Sequence, residues 1–563
     1  MKNTLYSLIV LLLLSNPLYA RTMNILVYPF ENTGKKVYSW ISAGMTDTVI
    51  SDLNNIQDIH VVSDLDRKRA LQEIELGQTG IFNEKTIAKV GKLTGADLIF
   101  TGSYTVIGEK IRVTAKLIRV STGVIDKSVK IDGVLKDIFD VQDKVVLSLM
   151  SRTEKIRIPD IKPVELNESE KRVIVKKYRP ALDAYKWYAK GMEVRDLDPE
   201  KGLSYFTRAY KIDPEYVDAL IKIGHTTGRV FNRYEEALHH LALAEKLMKR
   251  KGKEKSAKYA YLKMNIGIVH GANNQWSAAQ KNYLESKRIY EDLSLLNSDG
   301  YTALLTNIGG SYLETGRSDT ALEYFLESKK IQDGGGLTIS NQYSALLNNI
   351  GNLYMQKGEL DRALGYYTES KEIKDKLGLS GSPQYSINLN NIGVVHFNRR
   401  EIDKAMYYYK KAKDIRDRLK LQNTREYASL MMDMGIIYSM KKDYQPALQH
   451  YEQSRTIMNS LRLQKTKSYS LLLMNLGATY KSQGKLDRAM EYLSRSLDLK
   501  EELGLTNTTG YGHALLNIGA VYLKRGEKKR AGGFFRKAYN AYQRAGYNGR
   551  MKSVALKFAR KYE

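Results

Sequence analysis

The sequence predicts an α/β amino-terminal domain followed by an all-α superhelix of stacked helical hairpins, an α-solenoid. Three observations carry that expectation. Glycine returns at Gly267, Gly309, Gly351, Gly393, Gly435, Gly477 and Gly519, a constant step of 42 residues. Short β-rich runs separated by turn residues fill the chain before residue 132. Apolar residues make up 43% and charged residues 27%, enough to build packed cores and unlike a disordered chain or a multi-span membrane protein. With 563 residues and no cysteine, the chain has no disulfide, thiolate metal site or cysteine nucleophile.

At the amino terminus Lys2 precedes an apolar run from Leu5 to Leu14, then Pro17 and Leu18-Tyr19-Ala20. A basic start, a short apolar core and a small residue at the end make residues 1–20 a secretory signal. The run is far shorter than the ~20 residues that span a bilayer. The expected location is therefore periplasmic or secreted, with neither lipid anchor nor transmembrane helix.

Residues 21–156 read as the α/β domain. Strands are expected at 24–30, 59–62, 97–106, 110–120 and 124–131, with helices near 37–53, 65–76, 84–93 and 134–150. Gly108-Glu109 and Thr122-Gly123 supply turns that make the last three strands an antiparallel meander. Pro29-Phe30-Glu31-Asn32, Gly95-Ala96-Asp97 and Thr101-Gly102-Ser103 together resemble the exported domain family that includes the curli secretion protein CsgG, flagellar FlgO and TolB-like domains. That resemblance implies partner binding in the cell envelope and no catalysis. The absence of a lipid-bearing cysteine and the tight turns argue against a secretion pore.

A polar linker is expected at 157–180, two irregular hairpins at 181–256, seven 42-residue units at 257–550 and a capping tail at 551–563. In register with the glycines stand Tyr259, Tyr301, Tyr343, Tyr385, Tyr427, Tyr469 and Tyr511, and alanines from Ala279 to Ala531. One helical pair is being stacked repeatedly. The Leu-Gly, Tyr, Ala and aromatic order resembles the tetratricopeptide repeat. Its lengthened form, with Leu377 and Leu379 or Leu461 and Leu463 after the second helix, is similar to kinesin light chain and the LGN scaffold, which bind extended peptide segments.

Two residues before each glycine lies an amide or its acid: Asn265, Asn307, Asn349, Asn391, Asp433, Asn475 and Asn517. A carboxamide both donates and accepts, so such a ladder can hold a peptide backbone; equally, it can tie one repeat to the next. Asn348, Asn352, Asn390 and Asn398 double the amides, and Arg399 and Arg400 follow. These residues, with Asn265, Asn307, Asn349, Asn391, Asn475 and Asn517, are the candidate peptide-binding set. The tyrosines and the stripe Leu305, Leu347, Leu389, Met431, Leu473 and Leu515 belong to the core.

The net charge is +27, from 89 Lys and Arg against 62 Asp and Glu, and the excess lies in the repeats. It favours an acidic protein or peptide partner, or an anionic envelope surface. No nucleic-acid-binding motif is present. The eight histidines lack HExxH spacing, and neither GxSxG nor GxxxxGK[ST] occurs, so neither enzyme nor cofactor is expected. The resulting expectation is an exported, non-catalytic scaffold in cell-envelope assembly. A structural oligomer or a sensory accessory of a membrane receptor is the alternative, with oligomeric state left open.

Overall fold

A computed structural model describes residues 22–62, 94–151, 164–175, 178–336 and 338–562, with single positions between them. The leader 1–20 and the helices expected at 65–76 and 84–93 lie outside the described residues, apart from Gly91. The chain divides into two compact units, with the boundary between Leu379 and Ser380.

The first unit opens with a mixed sheet of β1 (Met23–Val27), β2 (Glu31–Asn32), β3 (Ile59–Val61), β4 (Leu98–Ile107), β5 (Lys110–Arg119) and β6 (Ile125–Val134). The order is β3-β1-β4-β5-β6; β1 is parallel to β3 and β4, β2 adds to β4, and β4, β5 and β6 form the expected antiparallel meander. The turns hold Gly108 at φ 61° and Gly123 at φ 73°, backbone that glycine reaches without a Cβ clash. Helices α1 (Trp40–Leu53) and α2 (Ile138–Met150) pack against the sheet. Both start later than the sequence implied. A 3-10 turn at Lys36–Tyr38 precedes α1, and β6 runs on to Val134 before α2 can begin.

Residues 157–180, expected as a linker, carry α3 (Glu168–Val175) and send Ile161, Val164, Leu166 and Ile174 into the core. Asn167 Oδ1 accepts from the Glu170 backbone N–H at 2.9 Å, while Glu170 accepts from the Asn167 N–H at 2.9 Å, a capping box. Glu170 also takes the Gln57 N–H at 2.7 Å, joining α3 to the sheet domain.

Helical hairpins follow: α4 (Leu182–Val194) with α5 (Pro199–Ile212), α6 (Val217–Arg229) with α7 (Tyr234–Arg250), and α8 (Ala257–Ala272) with α9 (Trp276–Asp292). The unit ends with α10 (Asp299–Glu314) and α11 (Ser318–Gly334), then α12 (Asn341–Gln356) and α13 (Leu360–Lys376). The second unit repeats the pattern with α14 (Pro383–Asn398) and α15 (Ile402–Arg418), α16 (Arg425–Met440) and α17 (Tyr444–Ser460), and α18 (Lys467–Ser482) and α19 (Leu486–Glu502). It finishes with α20 (Thr509–Lys524), α21 (Lys528–Arg544) and α22 (Arg550–Tyr562), whose Ala555 and Ala559 are buried against the last hairpin. The fold is an α/β domain followed by an α-solenoid.

The repeated glycines are where the two helices of a hairpin touch. A Cβ on Gly351 would sit 2.6 Å from the Tyr367 ring, and one on Gly477 2.6 Å from Leu493 Cγ. Each first helix from α8 onward is capped by a Ser or Thr hydroxyl accepting from the tyrosine N–H three residues on, as Ser340 does for Tyr343 at 3.0 Å. A buried serine of the second helix then donates to a carbonyl of the first. Ser286 reaches Ala260 O at 2.7 Å, Ser370 reaches Ser344 O at 2.7 Å, and Ser454 reaches Ala428 O at 2.8 Å. Between hairpins the ladder tyrosines donate to carboxylates of the preceding second helix, Tyr343 to Asp333 at 2.6 Å and Tyr427 to Asp417 at 2.8 Å.

Candidate binding groove

At about 100° per residue, the positions two before and one or five after each repeat glycine cluster on one face of the first helix, and the position four after lies between that face and the glycine. Within each unit, stacking the hairpins lines these positions up as an inner face. In the first unit part of that face is occupied by the chain's own α/β domain. Gly44 of α1 lies against Tyr185 and Ala189 of α4; the Tyr185 hydroxyl accepts from Gln142 Nε2 at 2.7 Å, and Tyr188 donates to Asp47 at 2.9 Å. Asn24 of β1 donates to Gly335 O at 3.3 Å, beyond α11. Between α1 and the first helices α4, α6 and α8 is a cavity of about 560 Å³, with Asn54, Tyr188, Lys222, Lys258 and Tyr261 among its lining. The sheet domain and the first hairpins thus share a core.

The candidate asparagines fall into different environments. Asn265 is 2% exposed and donates to Tyr261 O of its own helix at 2.7 Å. Asn352 accepts from the Tyr367 hydroxyl at 2.7 Å, joining α12 to α13, and Asn398 donates back to Val394 O at 2.8 Å. Asn307, Asn348, Asn349 and Asn391 are half-buried on their first helices, as is Arg399 just past α14. Arg400 is exposed at φ 66° in the turn after α14. Asn475 leaves its buried Nδ2 without a partner, and Asn390 its Oδ1. Asn517 donates to His513 O at 3.0 Å and accepts from Lys481 Nζ at 2.5 Å.

That last contact introduces residues the sequence reading did not select. Lys481, held by Asn517, has its pKa lowered by burial and then by the charge of Lys524. Lys524 Nζ donates to the Lys481 carbonyl at 3.1 Å. Among the described residues neither ammonium has a carboxylate partner. Asp433 of α16 is the other departure: it stands in the amide row, and burial pushes its carboxyl up to about 7, with the Asn390 amide partly offsetting. Both were visible as breaks in the register, a Lys where neighbours carry Phe397, Ser439 and Leu523, and an Asp among asparagines.

His270 and His396, which stand three residues after the repeat glycine where most other repeats carry tyrosine, differ. His396 is 7% exposed and stacks on Tyr408 with centroids 5.3 Å apart, whereas His270 stays half-buried and bonds Gln275 at 2.6 Å.

A tetratricopeptide repeat family profile matches residues 342–418 and 468–544. Those segments are tetratricopeptide repeats. A curated relative, "Putative adenylate cyclase 3" of Rhizobium meliloti (strain 1021), is 28% identical over 129 residues, 23% of this chain and 20% of the relative. The chain thus spans about a fifth of that relative's length. Among solved structures, a Rap protein complexed with Competence and Sporulation Factor aligns at TM-score 0.45 and 13% identity, covering 60% of this chain and 92% of that one. A tetratricopeptide repeat protein from Parabacteroides merdae ATCC 43184 aligns at TM-score 0.36 and 18% identity, covering 54% and 99%. No helix among the described residues is long and apolar enough to cross a membrane.

Proposed function

We propose that this chain is an exported, non-catalytic adaptor of cell-envelope assembly whose tetratricopeptide repeats hold an extended acidic segment of another protein. The observation that carries the reading is the pair Lys481 and Lys524 on the inner face of α18 and α20. Two ammonium groups kept close without a carboxylate repel one another, and an incoming anion relieves that repulsion. Asn517 orients the first of them, while Asn391 and Asn475 lie in the same row for backbone contacts. Arg399 is a further member of the set in this unit, and Asn307, Asn348 and Asn349 are the corresponding set of the first unit. Export rests on the amino-terminal apolar run, and the envelope role on the resemblance of the sheet domain.

The test is capture of envelope-fraction proteins by the full chain, followed by the double variant Lys481→Ala/Lys524→Ala. Partner recovery is expected to fall at least tenfold in 50 mM salt and to lose its salt dependence. Equal recovery by both chains removes the lysine pair from the site.

A further inference from the structure

Six of the seven row positions are asparagine and one is aspartate. An asparagine at 433 would fill the same volume with no charge to desolvate. Asp433 keeps only partial solvent contact, and among the described residues no cation pairs with it. Asn390, on the neighbouring first helix α14, bonds to the carboxylate but leaves its own Oδ1 buried and unpartnered, and Asn475 on the other side leaves Nδ2 so. The row therefore leaves an open acceptor, Asn390 Oδ1, beside its negative charge, while Asn475 holds an open donor. Tyr409 from α15 and Tyr451 from α17 are the titratable groups that feel that charge, and both are buried phenols. A desolvated carboxylate without a counter-ion is costly, and a cation brought by a ligand removes that cost.

We propose that Asp433 selects, within the bound segment, a lysine or arginine side chain whose cation seats against its carboxylate in the row formed with Asn390 and Asn475. The inference rests on the groove reading above and refines it. The global charge of the repeats draws an acidic segment, whereas this single position demands one basic residue and so sets the segment's register. Pairing requires the ionised carboxyl. Because burial holds that carboxyl near 7, binding is constant above pH 8 and weakens toward tenfold per unit once the pH falls well below 7.

A displayed library of random ten-residue peptides, selected at pH 8 against the full chain, against Asp433→Asn and against Lys481→Ala/Lys524→Ala, tests the proposal. Asparagine is the residue of the other repeats, so Asp433→Asn is expected to fold; its melting curve checks this. The wild type is expected to enrich a basic residue at fixed spacing from acidic ones, and Asp433→Asn to lose the basic position alone. Replacing that residue by norleucine in the best peptide should weaken wild-type binding at least tenfold and leave Asp433→Asn binding unchanged. Peptides that need the lysine pair but show no Asp433-dependent basic position overturn this inference and leave the groove reading standing. Recovery of no peptide, or of peptides indifferent to every substitution, removes both.

Discussion

Lys500 shows how one side chain in the register can oppose the stability of its neighbours. It is 4% exposed on α19, and its ammonium donates to Ser470 Oγ at 2.9 Å. The same position holds Gln332, Lys374, Arg416 and Met458 in other repeats. Burial, and secondarily Lys467, lowers its pKa to about 8, against ~10.4 in an unfolded chain. Between those values the unfolded chain binds more protons than the folded one, so stability rises as the pH climbs from about 8 toward 10. Lys500→Met, borrowing the residue at 458, is expected to stabilise the chain at pH 7 by roughly 1–3 kcal/mol and to abolish that rise. Thermal melts of both chains at pH 7 and pH 10 decide it. The buried cation was not legible as such, because a lysine in a helix pattern reads as solvated surface until the next hairpin closes over it.

At the scale of the element, each hairpin needs two tight reversals, and both recur every 42 residues. After the first helix, Asn274, Gly316, Gly358, Arg400, Lys442, Gly484 and Gly526 all adopt positive φ; after the second, so do Gly252, Ser294, Gly336, Gly378, Lys420, Arg462, Gly504 and Gly546. Such residues end helices in the left-handed conformation, which a side chain resists. Lys442→Gly, at φ 64°, is therefore expected to raise stability by about 0.5–1 kcal/mol, while Gly484→Ala, at φ 80°, lowers it by about 1 kcal/mol. Denaturant midpoints of the two variants should move in opposite directions. Ion pairs join successive hairpins in the same period: Lys357 with Asp319 at 2.6 Å, Lys441 with Asp403 at 2.8 Å, and Arg525 with Asp487. The carboxylates of these pairs are almost fully exposed, so each pair contributes little to stability.

For the molecule as a whole, the sheet domain and the first hairpins share one hydrophobic core, and they are expected to unfold together. Tyr185 is buried among Trp40, Phe139 and Gln142, and Arg179 bridges Asp140 at 2.6 Å and Asp143 at 2.9 Å. Tyr185→Ala is expected to cost about 3–5 kcal/mol and to loosen α1, α2 and α4 together. Amide hydrogen exchange resolved along the chain checks this: protection that falls on α4 while α1 and α2 stay unchanged would mean two independent cores. Removing the sheet domain would in turn bare the Tyr185 and Tyr188 face of α4, so tests of partner binding belong on the full chain.

The hairpins, their period, the antiparallel meander and the close helix contact at every glycine were readable from residue order, because caps, turns and apolar periodicity act between near neighbours. The serine and threonine caps and the buried serines were equally present in the 42-residue register, though hidden by how common serine is in loops and on surfaces. Which stretch of the repeats the sheet domain covers depended on residues more than a hundred positions apart, as Asp47 with Tyr188 and Asn24 with Gly335 show, whereas the choice of Asn265, Asn398 and Asn517 to bond their own helix is a local one that packing decides. The two ammonium groups and one carboxylate that have no counter-ion among the described residues depended on neighbouring repeats, since desolvation is set by everything packed around a charge and not by the segment that carries it.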